Sequence, residues 1–332
     1  MEKTVELVPK AFRVLVVDDD EVSRLLTQEM LGLKQYQVSA VGSADAALAQ
    51  VREQPPDLIL LDVVMPGRSG IELCRELKEN DATRLIPVIL ITGLSEREAK
   101  LQGIEAGADD FLNKPVDPQE LFARVKSLLK LKQFTDELEN AETVLFSLAL
   151  GVEARDPYTE GHCARLADAA AELGEAMQLP REDIVALRRG GVLHDIGKIA
   201  VPDAILRKPG PLDAQEAAVM RCHPVTGEQI CRPLRSLHRV LPIIRHHHEH
   251  WNGRGYPDGL AGESIPLLAR VLQIVDAYDA LTSSRPYKPA WPHAQAKVTL
   301  LTEARERWWD ESILRIFLRQ VEEQHRLQRR AG

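Results

Sequence analysis

The stretch HHHEHWNGRGYPDG, residues 246–259, crowds four histidines into five positions ahead of a glycine-punctuated, aromatic turn. Read alone, it suits a low-complexity metal sponge, a solvated loop or part of a built site. Other histidines and aspartates recur at a distance: His162 in GHCARLADAAAEL, His194 and Asp195 in GGVLHDIGKI, His223 heading HPVTGEQI, and Asp276 in VLQIVDAYDAL. At helical spacing His162 shares a face with Leu166, Ala169 and Leu173. On such an apolar stripe a single histidine is more often a satisfied core residue than a ligand. Asp195 adjoins His194 at a helix end, where Gly197 suits the C′ position. Asp276 stands mid-helix among apolar neighbours. A carboxylate buried in such places needs a counter-charge, which a metal can supply. His162, His194, His223, His247 and His248, with Asp195 and Asp276, make a set large enough for two divalent ions. Imidazole and carboxylate without thiolate favour Fe or Mn over a structural zinc site.

A second set lies nearer the N-terminus, where Asp18, Asp19, Asp62, Thr92 and Lys114 each stand at the end of a short apolar run. Carboxylates converging there would repel one another without a cation, and hard oxygen ligands suit Mg²⁺. Helix N-capping explains any one of these aspartates but not the whole group.

The elements that must position this second set are FRVLVV (12–17), YQVSAV (36–41), DLILLD (57–62), IPVILIT (86–92) and DDFLN (109–113). Continuous apolar runs alternating with amphipathic stretches predict a doubly wound α/β domain over residues 10–130. Its five-stranded parallel sheet would be covered on both faces. Ligands of such sheets bind outside the C-terminal strand ends. Beyond 150 the strand pattern stops. Helices are predicted over 142–155, 161–178, 181–196, 213–231, 236–249, 266–282, 293–307 and 311–329, giving an all-α domain over 142–330. Between the two, residues 124–150 read as one helix. Leu131, Leu138 and Leu145 recur in it every seven positions, as do Phe134, Ala141 and Leu148. That seam predicts a coiled-coil-like linker pairing two copies of the chain. An amphipathic helix packed on its own domain is the alternative.

At 332 residues, 44% hydrophobic and 28% charged, the chain suits two soluble globular domains. A net charge of −8 excludes a protein that coats a nucleic-acid polymer, since backbone binding needs a basic face. It leaves room for a small anion held by a few placed cations. Cys74, Cys163, Cys222 and Cys231 form no C-x-x-C pair and are expected to be reduced, mostly in the core. No apolar run approaches the ~18 residues of a membrane span, and MEKTVELVPK lacks a signal-peptide core. A cytoplasmic protein is therefore expected.

Within residues 10–130, VLVVDDD, LILLDVVMPGRSG, ILITG and FLNKP stand in an order that closely resembles the receiver domain of two-component response regulators. The resemblance implies a flavodoxin-like fold with Asp62 as phosphoacceptor. It places Mg²⁺ on Asp18, Asp19 and Asp62 with the carbonyl of Val64. It also implies that Thr92 and Lys114 contact the phosphoryl oxygens, that Phe111 is the switch aromatic, and that a sensor histidine kinase is the donor.

From about 142 to 320, ARDPYTEGHCAR, HDIGKI, HPVTGEQI, HHEHWNGRGYP, VDAYDALTSSRPYK and WDESILRIFL resemble the HD-GYP branch of the HD-domain metal-dependent phosphohydrolases. The resemblance implies one ion on His162, His194 and Asp276, another on His223, His247 and His248, and Asp195 bridging both. The implied substrate is cyclic di-GMP, hydrolysed to pGpG, with GMP an open further product. A bound divalent metal lowers the pKa of water to about 7, which makes a nucleophile available at neutral pH. Lys198 would contact the scissile phosphate and assist the leaving oxygen, although alone it reads as a surface lysine. Arg285 and Lys288 would grip phosphate, and Tyr256 would offer a ring to guanine and a hydroxyl to phosphate. Asp279 would orient a ligand or meet a guanine edge. The GYP loop, otherwise only a turn, becomes a substrate loop and a surface for GGDEF-type or other signalling proteins.

Departures from the family pattern are few. Tyr158 stands where some members carry a glutamate that helps hold a third metal, so two metals are expected. Asn252 replaces a usual aspartate, and His250 fills a slot commonly held by another basic residue. The register makes His246 a bystander and Glu249 a structural partner. The expected function is a phosphorylation-controlled cyclic di-GMP phosphodiesterase. A non-catalytic sensor and an enzyme for another cyclic dinucleotide are its rivals.

Overall fold

A computed structural model describes residues 11–93, 97–155, 161–283 and 289–331. The chain divides into two compact units, Met1–Asn140 and Ala141–Gly332. The first runs β1 (Arg13–Val17), α1 (Glu21–Gly32), β2 (Gln37–Val41), α2 (Ala44–Glu53), β3 (Leu58–Asp62), α3 (Gly70–Glu79), β4 (Val88–Thr92), α4 (Arg97–Glu105) and β5 (Asp110–Asn113). Then α5 begins and continues past the division, Pro118–Arg155. The five strands are parallel in the order β2-β1-β3-β4-β5. LILLD and VILIT are buried along their whole length, which is why neither shows polar alternation. Alternate residues feed two cores, Leu15, Ile59 and Leu61 on one face and Val14, Leu58 and Leu60 on the other.

Strand order reverses between β1 and β3, so the crevice for a ligand opens where Asp18 and Asp62 end those strands. Asp20 is committed elsewhere: its carboxylate accepts from Ser23 N at 2.8 Å and caps α1. Of three consecutive aspartates, the third therefore builds the helix and the first two remain for the site.

Among the described residues the second unit has helices and loops and one isolated bridge, Asn252 with Ala261. Its helices are α6 (His162–Ala176), α7 (Arg181–Leu193), α8 (Asp203–Leu206), α9 (Ala214–Met220), α10 (His223–Cys231), α11 (Leu241–His246), α12 (Leu267–Thr282), α13 (His293–Arg305) and α14 (Glu311–Ala331). Leu166, Leu187, Ile243, Leu272, Leu314 and Phe317 pack in their shared core.

Four expectations need correction. The helix predicted over 213–231 breaks at Arg221–Cys222, because Pro224 lies in the first turn of α10 and suits a helix start rather than an interior. The helix predicted over 236–249 contracts to α11. Gly197 is not a left-handed cap. A Cβ there would come within 1.9 Å of the His223 carbonyl oxygen, so its role is close approach of two backbones. Finally, Leu145 packs on the core of the second unit rather than joining an open seam, while Leu131, Phe134 and Leu138 remain exposed.

Candidate metal centre

His194 follows the last residue of α7, His223 opens α10 and His247 follows α11. In each, ring Nδ1 lies 2.8–2.9 Å from the backbone carbonyl oxygen three residues earlier, at Gly191, Met220 and Ile244. The last carbonyls of a helix have no intrahelical donor, so helix-terminal histidines can use them. A proton donated from Nδ1 fixes the tautomer and leaves the Nε2 lone pair for the interior. His162, the first residue of α6, follows the same logic with a different acceptor: its Nδ1 lies 2.7 Å from Oδ2 of Asp279.

Those Nε2 atoms converge on carboxylates. His194 lies 3.2 Å from Oδ2 of Asp195, and His223 and His247 lie 3.1 and 3.8 Å from Oδ1. Asp195 Oδ1 is buried without a hydrogen-bond partner among the described residues. Since Nδ1 of His223 donates to Met220, its approach to Asp195 brings acceptor against acceptor. Such a contact is stable only with positive charge between. His162 Nε2 faces Asp276 Oδ1 at 3.4 Å. Two groups result, Asp195, His223, His247 and His248, and His162, His194 and Asp276, each with ligand atoms within 4.8 Å of one another. No cysteine joins either group among the described residues. The donor sets thus fit divalent cations, and Asp195 faces histidines of both groups.

The histidines differ in protonation behaviour. Burial, reinforced by neighbouring imidazoles, holds His247 and His248 well below the usual histidine range. Burial also opposes a charge on His194, yet the Asp195 carboxylate outweighs it and raises that ring. Asp195 itself is penalised by burial but held well below the usual carboxylate range by Lys198 and His194.

A surrounding layer fixes these groups. Lys198 Nζ lies 2.7 Å from Asp195 Oδ2. Arg165 meets Asp279 through two nitrogens, at 2.7 and 3.0 Å. Both oxygens of Asp279 are thereby engaged, Oδ2 by His162 and Arg165 and Oδ1 by Arg165. The N-cap of α6 is Gly161, with no capping side chain of its own, and Glu153 from α5 accepts from Cys163 N at 3.1 Å instead.

The 246–259 stretch separates into distinct tasks. Glu249 is fully buried, and its carboxylate accepts from the backbone N–H groups of Asp258, Gly259 and Leu260 at 2.7, 3.1 and 3.0 Å. Gly255 folds onto the strand of chain before it, where a Cβ would lie 2.3 Å from His250 N. Tyr256 consequently stacks on His248, with centroids 4.7 Å apart. Asn252 donates its amide to Glu306 O at 3.2 Å, a bond that an aspartate could not make. His250 stacks on Trp308 at 4.5 Å. His246, Glu249 and Asp258 cluster as well. Their carboxylates are satisfied by backbone N–H groups and by Arg245, 2.7 Å from Asp258, so the cluster clamps the loop.

At the strand ends of the first unit, Lys114 Nζ lies 3.1 Å from Asp18 Oδ2 and 2.8 Å from Asp62 Oδ2. Asp18, Asp19 and Asp62 form a third cation-sized group, with Asp19 exposed. Burial raises the Asp62 pKa, and Lys114 counters part of that rise. Val64 N lies 3.4 Å from Asp62 Oδ1, Thr92 is buried beside the crevice, and Phe111 is half-buried against the core.

Residues 14–126 match the response regulator receiver domain, and residues 149–313 match the HD domain. The chain is 35% identical to the cyclic di-GMP phosphodiesterase response regulator RpfG of Xanthomonas campestris pv. campestris, across 92% of this chain and 87% of that one. The chain belongs to the receiver–HD response regulator family. A probable cyclic di-GMP phosphodiesterase of Vibrio cholerae is also 35% identical, across 94% of this chain and 78% of that protein. A 3'3'-cGAMP-specific phosphodiesterase 2 of the same organism is 37% identical, over 51% of this chain and 33% of its own length.

In this receiver–HD protein the structure brings the expected histidines and aspartates of the HD domain into one centre, with Lys198 and Tyr256 beside it. Arg285, Lys288 and Tyr158 lie outside the described residues. Glu153 and Arg165 escaped sequence reasoning. Glu153 lies nine residues before His162, and no spacing rule links a helix end to the start of the next helix across a turn. Arg165 is a turn along α6 from His162, a position that reads as ordinary solvated surface.

Proposed function

We propose that this protein is a cyclic di-GMP phosphodiesterase whose HD centre holds two divalent cations and whose receiver accepts a phosphoryl group on Asp62. The observation that carries the reading is the buried, unpartnered Oδ1 of Asp195, ringed by imidazole lone pairs that only positive charge can reconcile. Cations there would neutralise the phosphodiester and acidify the attacking water. His162, His194 and Asp276 would hold one, His223, His247 and His248 the other, and Asp195 both. Lys198, fixed beside Asp195, would contact the reacting phosphate and supply a proton to the departing 3′ oxygen. Tyr256 on His248 would floor the substrate pocket, with Arg285 and Lys288 adding phosphate contacts.

In the receiver, Asp18 and Asp19 would share Mg²⁺ with Asp62 and the Val64 carbonyl, while Thr92, Lys114 and Phe111 would read out the phosphoryl group. A sensor histidine kinase would be its donor, in the cytoplasm. No helix among the described residues is long and apolar enough to cross a membrane. A second copy of the chain would dock along Leu131, Phe134 and Leu138, and a GGDEF-type signalling protein could meet the GYP loop.

A second reading, hydrolysis of a mixed cyclic dinucleotide, draws on the likeness to the 3'3'-cGAMP-specific enzyme. The test is anaerobic protein loaded with Fe(II) or Mn(II) and offered each dinucleotide, with products resolved by chromatography. Release of pGpG or GMP from cyclic di-GMP supports the first reading. Binding without any product would make the protein a sensor, and turnover of the mixed dinucleotide alone would favour the second.

A further inference from the structure

Arg221 sits in the break between α9 and α10, two residues before His223. Its guanidinium lies over the Tyr256 ring, 5.6 Å from the centroid. That ring stacks on His248 at 4.7 Å with 25° between planes and stands edge-on to His223 at 6.5 Å. The arginine is therefore tied, through one aromatic ring, to two histidines of the metal group built around Asp195. Yet it is exposed, and no carboxylate pairs with it among the described residues. Two other cations of this unit differ: Lys198 is committed to Asp195 and Arg165 to Asp279.

We propose that Arg221 is a substrate-binding residue that takes the phosphate of a cyclic dinucleotide not seated on the metals. This rests on the phosphodiesterase reading above. A cation–π contact spends no hydrogen-bond donor, so the guanidinium keeps its N–H groups, in the fork geometry that matches two phosphate oxygens. A cyclic dinucleotide carries two phosphodiesters, and while one reacts the other needs a fixed cation that no carboxylate already neutralises. The break of the helix at Arg221–Cys222 supplies the site with that cation, since a continuous helix over 213–231 would not place Arg221 at a helix junction beside His223.

The test compares full-length, Mn(II)-loaded wild type, Arg221→Ala and Arg221→Lys on cyclic di-GMP and on bis(p-nitrophenyl) phosphate, which has one phosphodiester and no base. Arg221→Ala should raise KM for cyclic di-GMP by about tenfold to a hundredfold. Metal content and hydrolysis of the small diester should stay within about twofold, and Arg221→Lys should recover part of the loss. Cyclic di-AMP, used as an inhibitor of small-diester hydrolysis, should lose as much potency on Arg221→Ala as cyclic di-GMP does, because the phosphates are the same. Equal losses on both substrates, no loss on either, or a loss confined to the guanine dinucleotide overturns the assignment. Wild type that cleaves the small diester but never cyclic di-GMP sinks the phosphodiesterase reading, and the assignment with it.

Discussion

Asp276 and Asp279, one turn apart on α12, grip the two nitrogens of a single imidazole: Oδ1 of Asp276 faces His162 Nε2 at 3.4 Å, and Oδ2 of Asp279 meets Nδ1 at 2.7 Å. Residues three apart share a helix face, so one helix supplies both a candidate ligand and the group that aims its neighbour. Arg165 closes the arrangement by holding Asp279 from the far side. The Asp279 carboxyl, penalised by burial, is nevertheless held below its usual range by His162 and Arg165, and so stays an acceptor at working pH.

Replacing Asp279 should therefore act on metal affinity before it acts on chemistry. Asp279→Ala should weaken metal binding by about 10–100-fold, as loss of a histidine's orienting partner typically does. Asp279→Asn keeps an oxygen acceptor and should lose less. Titration against a competing chelator measures both. Unchanged affinity in the alanine variant would return Asp279 to the substrate pocket.

Asp195→Ala should strip the centre further, because it removes the one carboxylate among the described residues that faces both groups. Metal content by elemental analysis should fall toward zero, and turnover with it. His246→Ala should leave metal content intact whereas His247→Ala should not: His247 is aimed inward by Ile244 O, while His246 faces Asp258 at 3.4 Å. Equal losses in the two variants would contradict that division.

How much of this was legible beforehand follows from the kind of interaction involved. β3 and β4 were plain because burial on both faces demands uninterrupted apolar runs, and Asp62 follows from where such a run must stop. The histidines of the centre were legible as motifs but not as geometry. What aims His194, His223 and His247 is a helix end, and two of those ends were misplaced, since α10 and α11 are shorter than apolar periodicity alone suggests. Contacts such as Glu153 with Cys163 or Asn252 with Glu306 join segments with no periodic relation, so only the folded chain reveals them.

Glu249 is the anchor of the Gly-Tyr-Pro loop. Glu249→Ala removes the acceptor for three backbone N–H groups at a fully buried position. Each buried donor left unpaired costs about 1–3 kcal/mol, partly recovered where the loop can rehydrate. A loss of about 2–4 kcal/mol in urea unfolding is expected, with faster amide exchange at residues 258–260. Protection there that matches wild type would argue against the anchor.

Asp310 gives the second unit an acid-sensitive contact. Its carboxylate accepts from Ser312 N at 3.0 Å and from Arg270 at 2.6 Å, while Arg270 also lies over the Trp251 ring at 5.5 Å. Burial pushes the Asp310 pKa up, but the Ser312 and Arg270 bonds outweigh it and the net shift is downward. A carboxyl whose pKa is lower folded than unfolded stabilises above the unfolded value of about 4 and loses that contribution as pH falls through the folded one. Asp310→Asn should therefore cost about 1–3 kcal/mol near neutrality, with the gap to wild type narrowing as pH drops below about 5. Urea midpoints across that range measure it, and a constant gap would remove Asp310 from the acid response.

Leu131, Phe134 and Leu138 are 61, 56 and 41% exposed on α5, at the spacing of a seam that the described residues of their own unit leave open. Exposed apolar rows of this kind are costly in water and are relieved when a second helix packs along them. If phosphorylation at Asp62 strengthens that pairing, beryllofluoride, which mimics the phosphoryl group, should raise the dimer fraction in light scattering and change turnover in parallel. Asp62→Asn should respond in neither. Phe134→Asp should stay monomeric with its receiver still folded by circular dichroism, and should uncouple turnover from beryllofluoride. A monomeric wild type whose activity still responds to beryllofluoride would place the control within one chain, along α5 itself rather than between two copies.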